Sequence, residues 1–158
     1  MIAVRPMRAG DHARVAEIWH EGWHDAHDGL VPDALSRLRT PDAFRKAVPK
    51  LTRPVRVGLT EGGIGGFVAW QDDGIDYLFL ARAVRGTGLA QALMARAEAE
   101  IAAAGHTVAR IDHVEGNARA ARFYAREGWR RIGHEDERWP ETGDSIGGWR
   151  SILLEKRL

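Results

Sequence analysis

Cysteine is absent from this chain, which excludes a cysteine nucleophile, disulfides and thiolate metal sites, and leaves the redox compartment open. A charge excess is missing too. Lys and Arg number 23 against 22 Asp and Glu, a formal charge of +1. Such a field is too weak to argue for a phosphate-backbone partner, so no nucleic acid is expected. Lysine is scarce, with Lys46, Lys50 and Lys156 the only ones among the cations, and no function follows from that usage. No apolar run reaches membrane-spanning length, and Arg5, Pro6, Arg8 and Asp11 interrupt the N-terminal stretch before a signal-type apolar core could form. No membrane partner is expected, and the cytoplasm is the default location.

What is present is the balance of a globular domain: 158 residues, 44% hydrophobic and 28% charged. That is enough to bury one core without metals or disulfides, so a single domain over 1–158 is expected. Ile2 to Arg5 reads as a short strand closed by Pro6. Asp11 is placed to cap a helix on which Val15, Ile18, Trp19 and Trp23 recur at helical spacing, ending near Asp25. Pro32, Pro41 and Pro49 punctuate short helical stretches around Leu35 to Leu38 and Phe44 to Val48, an adaptable segment over a sheet. Val55 to Thr60, Ile64 to Gln71 and Ile75 to Leu80 are β-rich runs separated by Glu61-Gly62-Gly63 and Asp72-Asp73-Gly74, the turn chemistry of an antiparallel meander. A helix follows from Leu89 to Ala104, stopped by Gly105, then a strand from Val108 to His113. Asn117 can cap a helix through Arg126 that Gly128 ends, before strands from Trp129 to Glu135 and from Trp149 to Leu154. The order predicts an α/β fold, a mixed sheet flanked by helices.

Arg85-Gly86-Thr87-Gly88-Leu89-Ala90 follows an apolar strand and opens a helix, so its amides can converge on an anion at the positive end of the helix dipole. A Walker loop would need Gly-Lys-Ser/Thr, and a dinucleotide fingerprint Gly-x-Gly-x-x-Gly; the segment has neither.

Leu78-Phe79-Leu80 followed by Arg85 to Ala90 resembles the coenzyme A motif of the GNAT superfamily of acetyl-coenzyme A-dependent N-acetyltransferases. Asn117, Ala120, Phe123, Tyr124, Gly128 and Trp129 resemble that superfamily's late-helix pattern. Close matches run from Leu78 to Trp129; the first third matches loosely, and Arg82 lies where many members carry proline. The resemblance implies a mixed central sheet of about seven strands, with acetyl-coenzyme A as co-substrate and no metal. It implies that the amides of Arg85, Gly86, Thr87, Gly88, Leu89 and Ala90 bind the pyrophosphate, that the backbone near Leu80 holds pantetheine and the thioester carbonyl, and that Asn117 meets the pantetheine arm. Leu78, Phe79, Ala120 and Phe123 complete the cofactor site. A homodimer is a further possibility of the resemblance.

Tyr124 matches the superfamily's frequent general acid, a phenol of pKa ~10 able to protonate a departing thiolate. The amine must also lose a proton, and Glu21, His24, Asp76, His113 and Glu115 are the candidate bases, ranked Glu115, then Asp76, then His113. The acceptor wall, by the same resemblance, falls on the first helix: Trp19, Trp23, His20, His24, Asp25 and Asp28, with His113, would offer aromatic and acidic contacts to a cationic amine. The acceptor is then a primary amine of a small molecule or peptide. Two other classes compete. One is a coenzyme A-binding sensor without turnover. The other is a zinc hydrolase, because His20-Glu21-Gly22-Trp23-His24 is literally His-Glu-x-x-His on a predicted helix. Against zinc, His27 and Leu30 stand where a metzincin would carry glycine and a third histidine.

Overall fold

Alternation along the chain's most apolar strand sets the architecture. In the computed structural model, which describes all 158 residues, the strand β3 (Gly63–Gln71) is buried from Gly65 to Trp70. Val68 and Trp70 face one apolar cluster, Phe67 and Ala69 another. Side chains two apart share a face of a strand, so β3 is covered on both faces. It pairs with β2 (Val55–Thr60), whose far side carries β1 (Ala3–Pro6), and with β4 (Gly74–Leu80); beyond β4 lie β5 (Val108–Val114), β7 (Gly147–Arg157) and β6 (Arg130–Trp139). The seven strands run in the order β1-β2-β3-β4-β5-β7-β6. Every neighbouring pair is antiparallel except β4 and β5.

One face is covered by α4 (Leu89–Ala103) and α5 (Ala118–Arg126). Leu89, Leu93, Ala97 and Ile101 recur at helical spacing on α4, all with 0% exposure, and meet Val68, Ile75, Ile111 and Leu154 of the sheet. The other face carries α1 (His12–His27) and α3 (Pro41–Ala47), joined through the short α2 (Asp33–Leu38). Val15, Ile18 and Trp19 of α1 pack with Phe44, Val48, Val57 and Phe67. Gly22 lets α1 lie directly on β4: a Cβ there would stand 2.6 Å from Phe79 Cδ1 and 3.2 Å from Phe79 Cβ.

The sequence reading differs from this structure in its details. Asp11 does not cap α1 with its side chain. Its buried carboxylate instead accepts the Arg8 amide at 2.8 Å and two bonds from the Arg5 guanidinium at 2.7 and 3.1 Å, tying the chain before α1 to the edge strand. Helix α1 runs past Asp25 to His27; the chain leaves the helix at Asp28, with ψ of 130°, and Gly29, with φ of 80°, completes the turn. The segment taken as adaptable is anchored, with Val31, Leu35, Phe44 and Val48 all buried. The last two strands extend beyond their apolar runs, to Trp139 and from Gly147, because an antiparallel ladder continues through polar residues when both partners are extended. Trp129 lies just before β6 and is core.

Replacing Leu93 by alanine removes a side chain with no solvent contact from the centre of the α4 interface. We expect Leu93→Ala to lower the unfolding free energy by ~2–5 kcal/mol in a denaturant titration, with the elements themselves retained in circular dichroism.

Candidate active site

The sheet parts where β4 meets β5. These parallel neighbours share a single register pair, Gly74↔Arg110, fixed by the Arg110 amide donating to the Asp73 carbonyl at 2.8 Å and by the Arg110–Asp73 ion pair at 2.5 Å. Beyond it the strands diverge, and the edges they would have offered each other face a cleft of about 270 Å³. Its walls come from β4 (Asp76, Leu78, Phe79, Leu80), β5 (Ile111 to Val114), α1 (Gly22, Ala26, His27) and α5 (Arg119, Ala120, Phe123, Tyr124, Arg126), with Asn117, Arg85, Gly86 and Ala90 at its end.

That end is built for an anion. Gly86 and Gly88 hold φ of 78° and 93°, values that glycine adopts without strain, and Gly88 is the N-cap of α4 with no side-chain cap. The first amides of α4 therefore have no protein partner and point outward with the positive end of the dipole. Thr87 Oγ donates to the Val84 carbonyl at 2.6 Å, holding the turn. Arg85 donates to the Leu80 carbonyl at 3.2 Å and pairs with Asp25 at 2.9 Å. Asp25 also takes two bonds from Arg82, at 2.8 and 2.5 Å. These bonds, from Arg82 first and Arg85 after it, hold the Asp25 carboxyl down at about 2. Arg119 has no carboxylate partner; burial, and next the Arg85 charge, press its pKa below the ordinary arginine value. Arg82 and Arg85 share the Asp25 carboxylate and Arg119 has none, so an anionic ligand would relieve the cationic cluster.

The middle of the cleft holds Tyr124. The residue is 7% exposed, and its ring packs on Phe123 and Trp129 and stacks at 6.3 Å on His113. Its hydroxyl has no hydrogen-bond partner in the protein. Burial first, and then the Asp112 charge, raise its pKa well above that of a free phenol, so it stays protonated and can donate but not accept a proton at neutral pH. Asn117 Oδ1 accepts the Ala120 amide at 3.2 Å as the cap of α5, which leaves its amide nitrogen for the cleft. Cap and cleft contact are thus compatible in one side chain.

The other expected residues divide. Leu78, Phe79, Leu80, Arg85, Gly86, Ala90, Asn117, Ala120, Phe123 and Tyr124 all line the cleft; Thr87, Gly88 and Leu89 support the turn at its end. Asp76 lines it too, paired with Arg53. His113 is at the wall, its Nδ1 3.1 Å from the Val114 carbonyl. Glu115, the first-ranked base, does not line the cleft: it borders an adjoining hollow that shares His113 and Asn117 with it. The acceptor wall assigned to α1 needs correction. Trp19 is 7% exposed and packs on Phe44, Phe67 and Tyr77, a core residue rather than a cleft one. Trp23 stacks on His27 at 4.4 Å beneath Arg39, and only His27 of that pair lines the cleft. His24 is engaged at both ring nitrogens, by Asp28 at 2.8 Å and the Arg39 carbonyl at 2.6 Å, and Glu21 is turned to Arg82. No group of three or more His, Cys, Asp or Glu is arranged to hold a metal, so the His-Glu-x-x-His match lacks the geometry of a zinc site.

Asp112, Arg119, Arg126 and His27 line the cleft and escaped the sequence reading. The strand alternates, with Ala109 and Ile111 apolar and Arg110 and Asp112 polar, so in sequence Asp112 reads as one more solvated strand residue.

Residues 54–131 match the family model described as an acetyltransferase (GNAT) domain. No curated protein matches the chain in sequence. Among solved structures, apo YjaB from Escherichia coli is 23% identical, with 98% of this chain and 97% of that one covered at a TM-score of 0.75. The yncA protein of Salmonella typhimurium, a putative acetyltransferase determined with acetyl-CoA, is 19% identical over 100% and 94% of the two chains, with a TM-score of 0.70. The PaiA N-acetyltransferase of Thermoplasma acidophilum, in complex with coenzyme A, is 15% identical over 100% and 99%, with a TM-score of 0.74. These likenesses establish the fold.

The depressed Asp25 pKa fixes a sign. A carboxyl held below its unfolded value of ~3.9 contributes stability that is present above that value and lost as pH falls through the folded one. The stability difference between the parent chain and Asp25→Asn should therefore be constant at neutral pH and vanish as acid takes the pH from ~4 toward about 2; thermal melts across that range check it.

Proposed function

We propose that this chain, which belongs to the GNAT superfamily, transfers an acetyl group from acetyl-coenzyme A to a primary amine of a small molecule or peptide by direct attack. The observation that carries the reading is the continuity of one cleft from the uncapped α4 amides, flanked by Arg85 and Arg119, through the split of β4 and β5, to the protonated hydroxyl of Tyr124.

The residues fit the donor along that path. The left-handed Gly86 has nothing within 4 Å of the position a Cβ would take, so a diphosphate can approach the backbone there, met by the first amides of α4 and by Arg85. The unpaired edges of β4 and β5 can bond an extended amide-bearing arm as a missing strand would, and Asn117 adds an amide donor. Tyr124 keeps its proton for the sulfur that leaves, and free amides of β4 at the gap can polarise the thioester carbonyl. Asp25 holds Arg85 in position until phosphate takes over the charge. No step requires a metal.

Thiol release from acetyl-coenzyme A, followed over a panel of amines, tests the reading. We expect acetyl-coenzyme A to raise the melting temperature, at least one amine to give turnover, and Tyr124→Phe to lower kcat by ~10²–10⁴-fold with little change in KM for the donor. Donor binding without thiol release for any amine would replace the transferase reading with that of a coenzyme A sensor.

A further inference from the structure

Two polar groups in the cleft have no partner in the protein, and they are neighbours. One is the Tyr124 hydroxyl, on a side chain more than nine-tenths buried. The other is the Asp112 carboxylate, which makes no hydrogen bond and no ion pair, although nearly every other acidic residue at the cleft or the cradle does: Asp76 with Arg53, Asp25 with Arg82 and Arg85, Glu21 with Arg82. Asp112 stands two residues past the Gly74↔Arg110 pair on β5, as Asp76 does on β4, so the two carboxylates flank the point where the strands part. Alternation along β5 sends Ile111 and His113 to the α5 side, where His113 stacks on Tyr124, and turns Asp112 to the side that carries α1.

We propose that Asp112 receives the acceptor's ammonium group and takes its proton, acting as the general base opposite Tyr124. The inference rests on the acetyl-transfer reading above. Asp112 takes one proton from the ammonium nitrogen. The freed lone pair forms the N–C bond to the thioester carbonyl carbon, the C–S bond breaks with its electron pair on sulfur, and sulfur takes the Tyr124 proton. The second proton shed by nitrogen restores Tyr124, and Asp112 returns its own to water. The sum is amide, thiol and one proton released from the ammonium.

The surroundings suit that role. Asp112 is open to the solvent of the cleft, yet the walls crowd it; this crowding, then Glu135 of β6, and more weakly Asp76 of β4, raise its pKa above the usual carboxylate range, against a lowering by His113. A cation entering beside Asp112 and Asp76 is attracted, and the raised pKa brings the base nearer the working pH. The other charged groups of the lining are Arg85 and Arg119 beside the anion cradle and Arg126 at the last turn of α5. Asp76 is the weaker choice because Arg53 already holds its carboxylate. His27 of α1, kept neutral chiefly by burial, donates from Nδ1 to the Trp23 carbonyl at 2.7 Å and is not among the charges that bear on Asp112 or Tyr124.

The test compares the parent chain with Asp112→Asn and Asp112→Glu, using the amine that gives turnover and, separately, hydroxylamine, which is unprotonated at neutral pH. For the parent, kcat/KM should rise with pH through the raised Asp112 pKa. Asp112→Asn should lower kcat/KM for the amine by ~10²–10⁴-fold and abolish that rise, while keeping the stabilisation by acetyl-coenzyme A and losing far less with hydroxylamine. Asp112→Glu, which keeps a carboxylate, should retain the rise. An Asp112→Asn chain with parental kcat/KM and a parental pH profile, or equal losses with both nucleophiles, overturns the inference and leaves the transferase reading standing. A parent chain that binds acetyl-coenzyme A and releases no thiol with any amine overturns both.

Discussion

The constraint on which the rest depends is the single register pair between β4 and β5. Had these parallel strands stayed paired, the sheet would be continuous and both helical layers would be separated by it. Because they part after Gly74 and Arg110, the sheet has an interior edge, and interior edges carry backbone groups that need partners. An extended ligand with amides satisfies them, and so do the side chains that line the gap. The pair is held by the Asp73 carbonyl and by the Arg110–Asp73 contact on the adjoining turn. The turn thus fixes the apex of the split.

Charge is distributed along the gap in one sense. Arg85 stands by the uncapped end of α4 with Arg119 near it, whereas Asp76 and Asp112 flank the apex. A polar gradient of this kind orients a ligand that is anionic at one end and meets a cationic partner at the other. Asp25 couples the gradient to the fold. It belongs to α1, reaches across to the turn before α4, and pairs with two arginines there, so the helix on one face of the sheet is tied to the anion cradle on the other.

The parts of this arrangement that were legible in the sequence are local. Gly86 and Gly88 announce a turn that opens a helix, because the left-handed backbone they adopt disfavours other residues there. Asn117 and Gly128 bracket α5 by the same local chemistry of caps. What was not legible depends on contacts distant in sequence. Helical spacing showed that Trp19 lies on the apolar face of α1, but not whether that face meets a pocket or the sheet; Phe44, Phe67 and Tyr77 decide it. Asp11 reads as a cap until Arg5 of the edge strand is seen beside it. Glu115 and Asp112 are three residues apart on one strand end, and only the packing of α5 against β5 shows that Glu115 falls outside the gap while Asp112 faces it.

The split also resolves a difficulty common to any site that must handle two protons at once. A proton donor and a proton acceptor placed in direct contact satisfy each other, and neither is then available to a substrate. Here the sheet keeps them on different surfaces: Tyr124 comes from the helix packed on one face, Asp112 from a strand position turned to the other, and they share only the gap. The Asp112 charge raises the Tyr124 pKa and strengthens the phenol's hold on its proton. No hydrogen bond between them neutralises that effect. Removing the charge when Asp112 gains a proton loosens the phenol's hold, so protonation at one mouth of the gap favours donation at the other. Electrostatic coupling across the gap, without contact, is the property that a continuous sheet could not provide.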